Sequence, residues 1–394
     1  MENVSSSNGL EKRPKLRFPG FDEPWKVFKA EELFQNITDK NHPDETVLTI
    51  IQGKGTLPRE QAGRNIHYDD ASLSNYKKVE QGDFIIHLRS FEGGLEMANE
   101  AGIVSPAYTI LRCKRPHSSL FYDAYFHTDE FINHNLSKSV EGIRDGRQIS
   151  YEAFKWLGIP YCEPTEQEKI SNLFAALNER IAKQRDLIEA LKKYKRGVNN
   201  QILSQIDNSY NCRLGSVCEI VGGGTPDTLH TEYWGNTVEW FTPSEIGKTK
   251  YVNNSVRKLS DIGLDNSSAK LLPIGTVLLT TRATLGEMSI AKRECSTNQG
   301  FQSLIPHTDR VSSEYLYYMQ IIIKPWCEKY ASGNTFREIS KSALSDCIIP
   351  IPDRARQEQI VKLLSSIDLI IGGAESISMS LSKIRHGLMQ QLFI

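Results

Sequence analysis

The side chains able to recognise phosphate or a base edge lie in short polar loops. Lys54 sits in Gln52-Gly-Lys-Gly-Thr56 and Thr225 in Gly222-Gly-Gly-Thr-Pro226. Asn298 and Gln299 sit in Thr297-Asn-Gln-Gly300, and Asn334 and Thr335 in Ser332-Gly-Asn-Thr335, with Arg337 just beyond. Arg144 and Arg147 bracket Asp145-Gly146. Arg89 and Arg282 each close a β-rich run, and each is followed by a glycine, Gly93 or Gly286. Arginine offers a planar fork of donors to guanine or phosphate, and side-chain amides match adenine. The competing reading of each is structural, because glycine makes turns and arginine makes salt bridges.

Little else in the chain could do covalent chemistry. Gly247-Lys248-Thr249 looks like the end of a phosphate-binding P-loop, but Thr242 stands where its first glycine is required, and Pro243 interrupts the loop. The nine histidines show no metal-ligand spacing. A GxSxG elbow, a GxGxxG turn after a strand, the acidic triplet of metal-dependent nucleases and the Asn/Asp-Pro-Pro-aromatic tetrapeptide of amino-methyltransferases are all missing. These absences favour a binding protein over an enzyme.

The elements that must position these loops occur twice. At a shift of 190 residues, Arg147–Ser204 falls on Arg337–Ile394 without a gap, with 15 of 58 positions identical. At a shift of 193, Gly82–Arg89 falls on Gly275–Arg282, which places the two loop arginines at matched positions. Two copies of one globular unit, each followed by one copy of a second element, present two similar surfaces at a fixed separation.

The second element reads as a long helix. Alternating steps of four and three residues pick out Ile170, Phe174, Leu177, Ile181, Gln184, Ile188, Leu191, Lys195, Val198 and Ile202. The second copy gives Ile360, Leu364, Ile367, Ile371, Ala374, Ser378, Leu381, Arg385, Leu388 and Leu392. Both are coiled-coil seams, and pairing with each other in antiparallel fashion gives each a partner. Pro164 and Thr165 mark a start, with Glu166 and Glu168 in the first turn. Gly197 and Gly387 suggest close packing or fraying near the ends, and Lys192, Lys193, Lys195 and Arg196 read as a basic helix end.

The bulk numbers agree with two to three soluble domains: 394 residues, 39% hydrophobic and 24% charged. No apolar run approaches the roughly 18–20 residues of a membrane span. Seven scattered cysteines without a CxxC pair fit reduced thiols in a cytoplasmic protein. A net charge of -1 implies that a polyanion would meet local basic groups or charge borrowed from partners.

At this point the residues resemble a family, the DNA-specificity subunits of type I restriction–modification systems. The second unit carries most of the similarity, in Gly223-Gly-Thr-Pro226, Tyr233-Trp-Gly235, Trp240-Phe-Thr-Pro-Ser-Glu-Ile-Gly247, Leu271–Leu279, Asn298-Gln-Gly-Phe301, Ala331–Thr335 and Ile349-Pro-Ile-Pro352 with Gln357-Glu358. The first unit keeps Pro19-Gly-Phe21, Trp25, Gly82-Asp83 and Ile159-Pro160 with Glu166-Gln167-Glu168, but lacks the Gly-Gly-Thr-Pro and Tyr-Trp-Gly signatures. The resemblance implies an α+β chain of two tandem α/β target-recognition domains separated by two long helices in an antiparallel coiled coil. The expected parts are a disordered tail at 1–13, recognition domains at 14–158 and 206–348, and spacer helices at 159–205 and 349–394. It implies no cofactor in this chain. The implied partners are double-stranded DNA, two adenine-methyltransferase subunits that bind S-adenosylmethionine, and up to two restriction subunits that use ATP and magnesium. Without the resemblance, a bivalent adaptor for protein or carbohydrate remains the alternative.

Overall fold

The computed structural model describes residues 11–62, 70–141, 148–282, 284–333 and 337–393. The chain divides into two compact units, Met1–Arg185 with Ser376–Ile394, and Asp186–Glu375.

In the first unit a sheet is built from β2 (Phe34–Ile37), β3 (Phe84–Ile86), β4 (Glu96–Met97) and β5 (Thr109–Cys113), in the order β2-β5-β3-β4 and antiparallel throughout. A second ladder joins β1 (Trp25–Lys29) to β6 (Gly158–Tyr161). Helix α1 (Ser119–Phe126) packs Phe121, Tyr122, Ala124, Tyr125 and Phe126 into the core. Residues 1–10 lie outside the described part, but the tail expectation fails for Glu11 and Lys12. These pair with Lys26 and Trp25 as an edge strand, and Lys12 Nζ reaches Glu130 at 2.6 Å.

The second unit repeats this sheet. Here β8 (Cys218–Gly222), β12 (Val277–Leu279), β13 (Met288–Ala291) and β15 (Gln302–Pro306) run in the order β8-β15-β12-β13, again antiparallel. A fifth strand, β10 (Tyr251–Val252), adds in parallel to β13. A further sheet of three strands orders β11 (Arg257–Leu259), β9 (Trp234–Phe241) and β14 (Cys295–Thr297). The first and last strands of the unit, β7 (Asn211–Arg213) and β16 (Ile348–Pro350), pair antiparallel. Strands β3 and β12 are the runs matched at the 193-residue shift. Each is preceded by a glycine at positive φ, Gly82 at 91° and Gly275 at 87°, where a side chain would be strained.

Two long helices complete the chain, α2 (Pro164–Ser204, 41 residues) and α5 (Arg354–Phe393, 40 residues). Every seam position named above is buried or half-buried, while their neighbours along the helices are mostly exposed. In the second unit Ile188 and Ile202 are buried with Ile360, Leu364, Ile367 and Ile371. There Lys192 Nζ meets Glu375 at 3.0 Å and Lys195 Nζ meets Asp368 at 2.5 Å, so the partner number falls as the helix number rises and the pair is antiparallel. In the first unit Phe174 stacks on Phe393 with ring centroids 6.0 Å apart.

The helices are locked to their units by a duplicated device. Gln167 donates to the Cys162 carbonyl at 2.8 Å and accepts from the Ser118 N–H at 3.0 Å. Its repeat, Gln357, donates to the carbonyls of Pro352 and Arg310 and accepts from the Ser312 N–H at 3.2 Å. Tyr122 donates to the Pro160 carbonyl, as Tyr315 of α3 (Ser313–Tyr318) does to that of Pro350. Glu166 does more than favour the helix dipole. It takes both arms of Arg17, at 2.9 and 2.7 Å, and the Trp25 indole N–H at 2.9 Å.

Two expectations are corrected. Helix α2 continues to Ser204, so the cluster from Lys192 to Arg196 is interior, and Lys192 and Lys195 pair with carboxylates of α5. A Cβ added at Gly197 or Gly387 would meet nothing within 4 Å, so neither glycine serves close packing. Gly197→Ala is therefore expected to stabilise the second unit by about 0.5–1 kcal/mol, through helix propensity alone. Denaturant unfolding measures this, and a loss of stability would refute it.

Candidate nucleic-acid interface

In the second unit the loops named from the sequence come together. Strand β12 is wholly buried and delivers Thr280, Thr281 and Arg282 to its end. The Thr281 N–H donates to the Gly300 carbonyl at 2.7 Å, and its hydroxyl donates to Glu338 Oε1 at 3.3 Å. Arg282 Nη2 lies 2.8 Å from Glu338 Oε2, with both side chains part-exposed. Such a pair contributes at most about 1 kcal/mol, so a phosphate or base could displace Glu338 at low cost.

The 222–226 loop lies against the 297–300 loop. The Gly224 N–H donates to the Thr297 carbonyl at 2.8 Å, and the Trp240 indole donates to the Gly224 carbonyl at 3.0 Å. A Cβ on Gly223 would stand 2.0 Å from the Asn298 carbonyl oxygen, which is why glycine is required there. The Thr225 hydroxyl donates to Gln299 Oε1, and both side chains are exposed. Asn298 is used internally, since its Oδ1 accepts from the Gly300 N–H at 2.9 Å and shapes the turn. Arg337 is exposed. It donates to the carbonyls of Glu328 and Ala331 at the end of α4 (Gln320–Tyr330), at 2.6 and 3.4 Å. Asn334 and Thr335 lie outside the described residues.

In the first unit Arg89 ends the matched run. It is largely exposed and pairs with Glu92 at 3.0 Å. Lys54 is exposed, and its carbonyl accepts from the Asn99 amide at 2.8 Å. The two loops are neighbours, because a Cβ on Gly93 would collide with the side chain of Gln52. Arg144 and Arg147 lie outside the described residues.

The sequence reading missed the groups that fix these loops. Burial alone would raise the Glu96 carboxyl, but hydrogen bonds from His127 and from the N–H groups of Gly53 and Gly55 outweigh it and hold it below the usual carboxylate value. Burial would lower His127, and its bond to Glu96, with the charge of Asp123, outweighs that and raises it. Arg257 was also missed. Its guanidinium carbon lies over Trp234, 3.5 Å from the ring centroid.

These shifts give a pH dependence. Glu96 contributes stability that is present above its unfolded value and lost as pH falls through its lower folded value. His127 contributes stability that is full below about 6.5 and lost as pH rises through its raised folded value. The melting temperature of the first unit is expected to fall on alkalinisation through that range, with Asp123, His87 and Arg385 as the other charges that act on the cluster. His127→Gln should flatten the alkaline limb. A melting profile identical to that of the unmodified chain would contradict the assignment.

Among the described residues, no group of three or more His, Cys, Asp or Glu could hold a metal, and no helix is long and apolar enough to cross a membrane. All seven cysteines are free. Burial pushes the thiols of Cys218, Cys295, Cys327 and Cys347 up to about 12, so they are unreactive at neutral pH.

The two units repeat one strand order and carry polar loops at a common sheet end, and known proteins share this arrangement. Residues 207–376 match the type I restriction modification DNA specificity domain. Over 186 residues the chain is 34% identical to the type I restriction enzyme MjaIX specificity subunit of Methanocaldococcus jannaschii, covering 46% of this chain and 43% of that one. A type I restriction enzyme specificity subunit of Escherichia coli is 24% identical over 259 residues, 61% of this chain and 62% of the other. The matches thus span roughly half of these relatives. A solved chain from a study of type I R-M complex assembly has the same fold, with a TM-score of 0.61 at 20% identity, covering 96% of this chain and 99% of that one. Residues 207–376 are thus similar to the DNA specificity domain of type I restriction–modification systems, and the fold of the whole chain is that of the solved neighbour.

Proposed function

We propose that this chain reads a bipartite double-stranded DNA target, one half with each unit, and directs methyltransferase and restriction subunits to it. The observation that carries the reading is the duplicated four-strand order, with an arginine-bearing loop at the end of the same strand in both units. Arg89, Lys54, Arg282, Thr225 and Gln299 are the side chains best placed to meet phosphate or base edges. Residues 14–158 and 206–348 act as the recognition domains, and 159–205 and 349–394 as the spacers. Forty helical residues at ~1.5 Å each give roughly 60 Å, ample for half-sites about 34–36 Å apart.

In this reading the chain has no catalytic residue and works in the cytoplasm. Two adenine-methyltransferase subunits bring S-adenosylmethionine, and up to two motor subunits bring ATP and magnesium. The helices offer these partners a surface. Besides its buried seam, α5 carries Leu363, Ile370, Ile377 and Ile384 at seven-residue spacing, all exposed. The matched row on α2 includes exposed Leu187 and Tyr194. Seven-residue rows lie on one helix face, and an apolar row left exposed suits a partner helix.

Exchange of residues 206–348 for another such unit, in the complex with methyltransferase, tests the reading. One half of the methylated site should change while the other is kept. A change in both halves, or in neither, would overturn it. The adaptor reading receives no support from the comparisons.

A further inference from the structure

Each unit contains a carboxylate that is buried although it belongs to no core cluster. Glu96 is 0% exposed and Glu239 is 5% exposed. Burying a charge is unfavourable unless it is fully hydrogen-bonded, so each must find donors. In both units two of the donors come from an exposed loop, beside His127 on Glu96 and Lys258 on Glu239. Glu96 accepts the N–H groups of Gly53 at 2.6 Å and Gly55 at 2.9 Å, the two residues that flank exposed Lys54. Glu239 Oε2 accepts the N–H of Ser255 at 2.6 Å and its hydroxyl at 2.8 Å, while Oε1 pairs with Lys258 at 2.7 Å. Ser255 lies two residues before exposed Arg257.

Both loops adjoin the candidate interface. Gln52 packs at Gly93, beside the Arg89 loop. The 253–257 loop is tied to Thr242 by Glu245, which accepts the N–H of Val256 at 2.8 Å and that of Thr242 at 2.8 Å. Pro243 packs in turn at Gly300. Each loop therefore presents a cation from a backbone held by an internal anion. A loop fixed in this way loses less conformational freedom when it binds.

We propose that Glu96 and Glu239 are positioning residues for DNA recognition, each holding one loop so that its cation, Lys54 or Arg257, meets the duplex. This rests on the DNA-reading function above and adds one contact, Arg257, and the supports of both cations. The carboxylates touch no DNA themselves; they act through the loops.

The test uses the full chain in complex with its methyltransferase, and duplexes in which either half of the selected site is scrambled. Lys54→Ala and Arg257→Ala leave the supports intact, and each should weaken binding about tenfold or more through one half only, a different half for each. Glu96→Gln should match Lys54→Ala in the half affected, and Glu239→Gln should match Arg257→Ala. The double variant Glu96→Gln/Lys54→Ala should bind no worse than the weaker single variant, because both changes remove one contact. Amide hydrogen exchange should rise in the loop and stay unchanged in the sheet. Multiplicative losses, equal losses in both halves, or no loss from the two alanine variants would each overturn the inference. The function itself fails separately, if the unmodified complex selects no split site.

Discussion

Phe393→Ala is expected to destabilise the first unit by about 3–5 kcal/mol and to leave the second unchanged. Phe393 is almost at the end of the chain, yet it is completely buried in the core of the N-terminal unit. Its ring meets Phe121 at 5.2 Å, Tyr125 at 5.8 Å, Phe174 at 6.0 Å and Trp25 at 6.1 Å between centroids. Met389 and Leu392 are buried in the same cluster, and the Gln391 carbonyl accepts the Leu16 N–H at 3.0 Å. Truncating such a ring removes its buried apolar area, leaves a cavity, and breaks edge and stacking contacts at once. Hydrogen exchange resolved by segment measures the effect. Protection should fall across Ser119–Phe126 and Phe84–Ile86, and hold across Val277–Leu279 and Met288–Ala291. Equal loss in both units, or none, would show that the last turn of α5 does not complete the first core.

This closure was only partly legible in the sequence. The seam was readable because heptad spacing is local, and Ile170, Ile181, Ile188, Leu191, Ile360 and Ile371 fall where the spacing puts them. The matched runs ending at Arg89 and Arg282 were readable because a buried strand preceded by a glycine leaves a short, dense pattern. The identity of Gln167 and Gln357 was visible, but not its reason, since their partners Ser118 and Ser312 sit some 45–49 residues upstream. The same distance hid the loop supports. Glu96 meets Gly53 across 43 residues and Thr225 meets Gln299 across 74, and no local pattern encodes either. Lys192 to Arg196 was read as a basic helix end, but the helix runs on past Gly197 to Ser204, since an exposed interior glycine weakens a helix without stopping it. That exposed Arg337 also donates to the carbonyls that close α4 was not legible, because those acceptors lie nine and six residues upstream.

Lengthening both long helices by one heptad should move the recognised half-sites about three base pairs further apart. Insertion between Lys183 and Leu191 of α2, with a matched insertion in α5, keeps the seam in register, because seven residues return each knob to the same face. The added length is about 10.5 Å at ~1.5 Å per residue, and one base pair advances the duplex by about 3.4 Å. The original target should then lose affinity by orders of magnitude, because only one unit can engage at a time. Competition binding against duplexes with gaps of graded length reads this directly. An optimum at the original gap would mean that the helices do not set the spacing.

The most direct test of the central claim is selection from random duplex DNA by this chain co-expressed with the methyltransferase subunit proposed as its partner. The account predicts one enriched motif, made of two short specified halves around a fixed unspecified gap. A stable complex that enriches no motif, or a single uninterrupted one, would contradict two-unit reading of DNA.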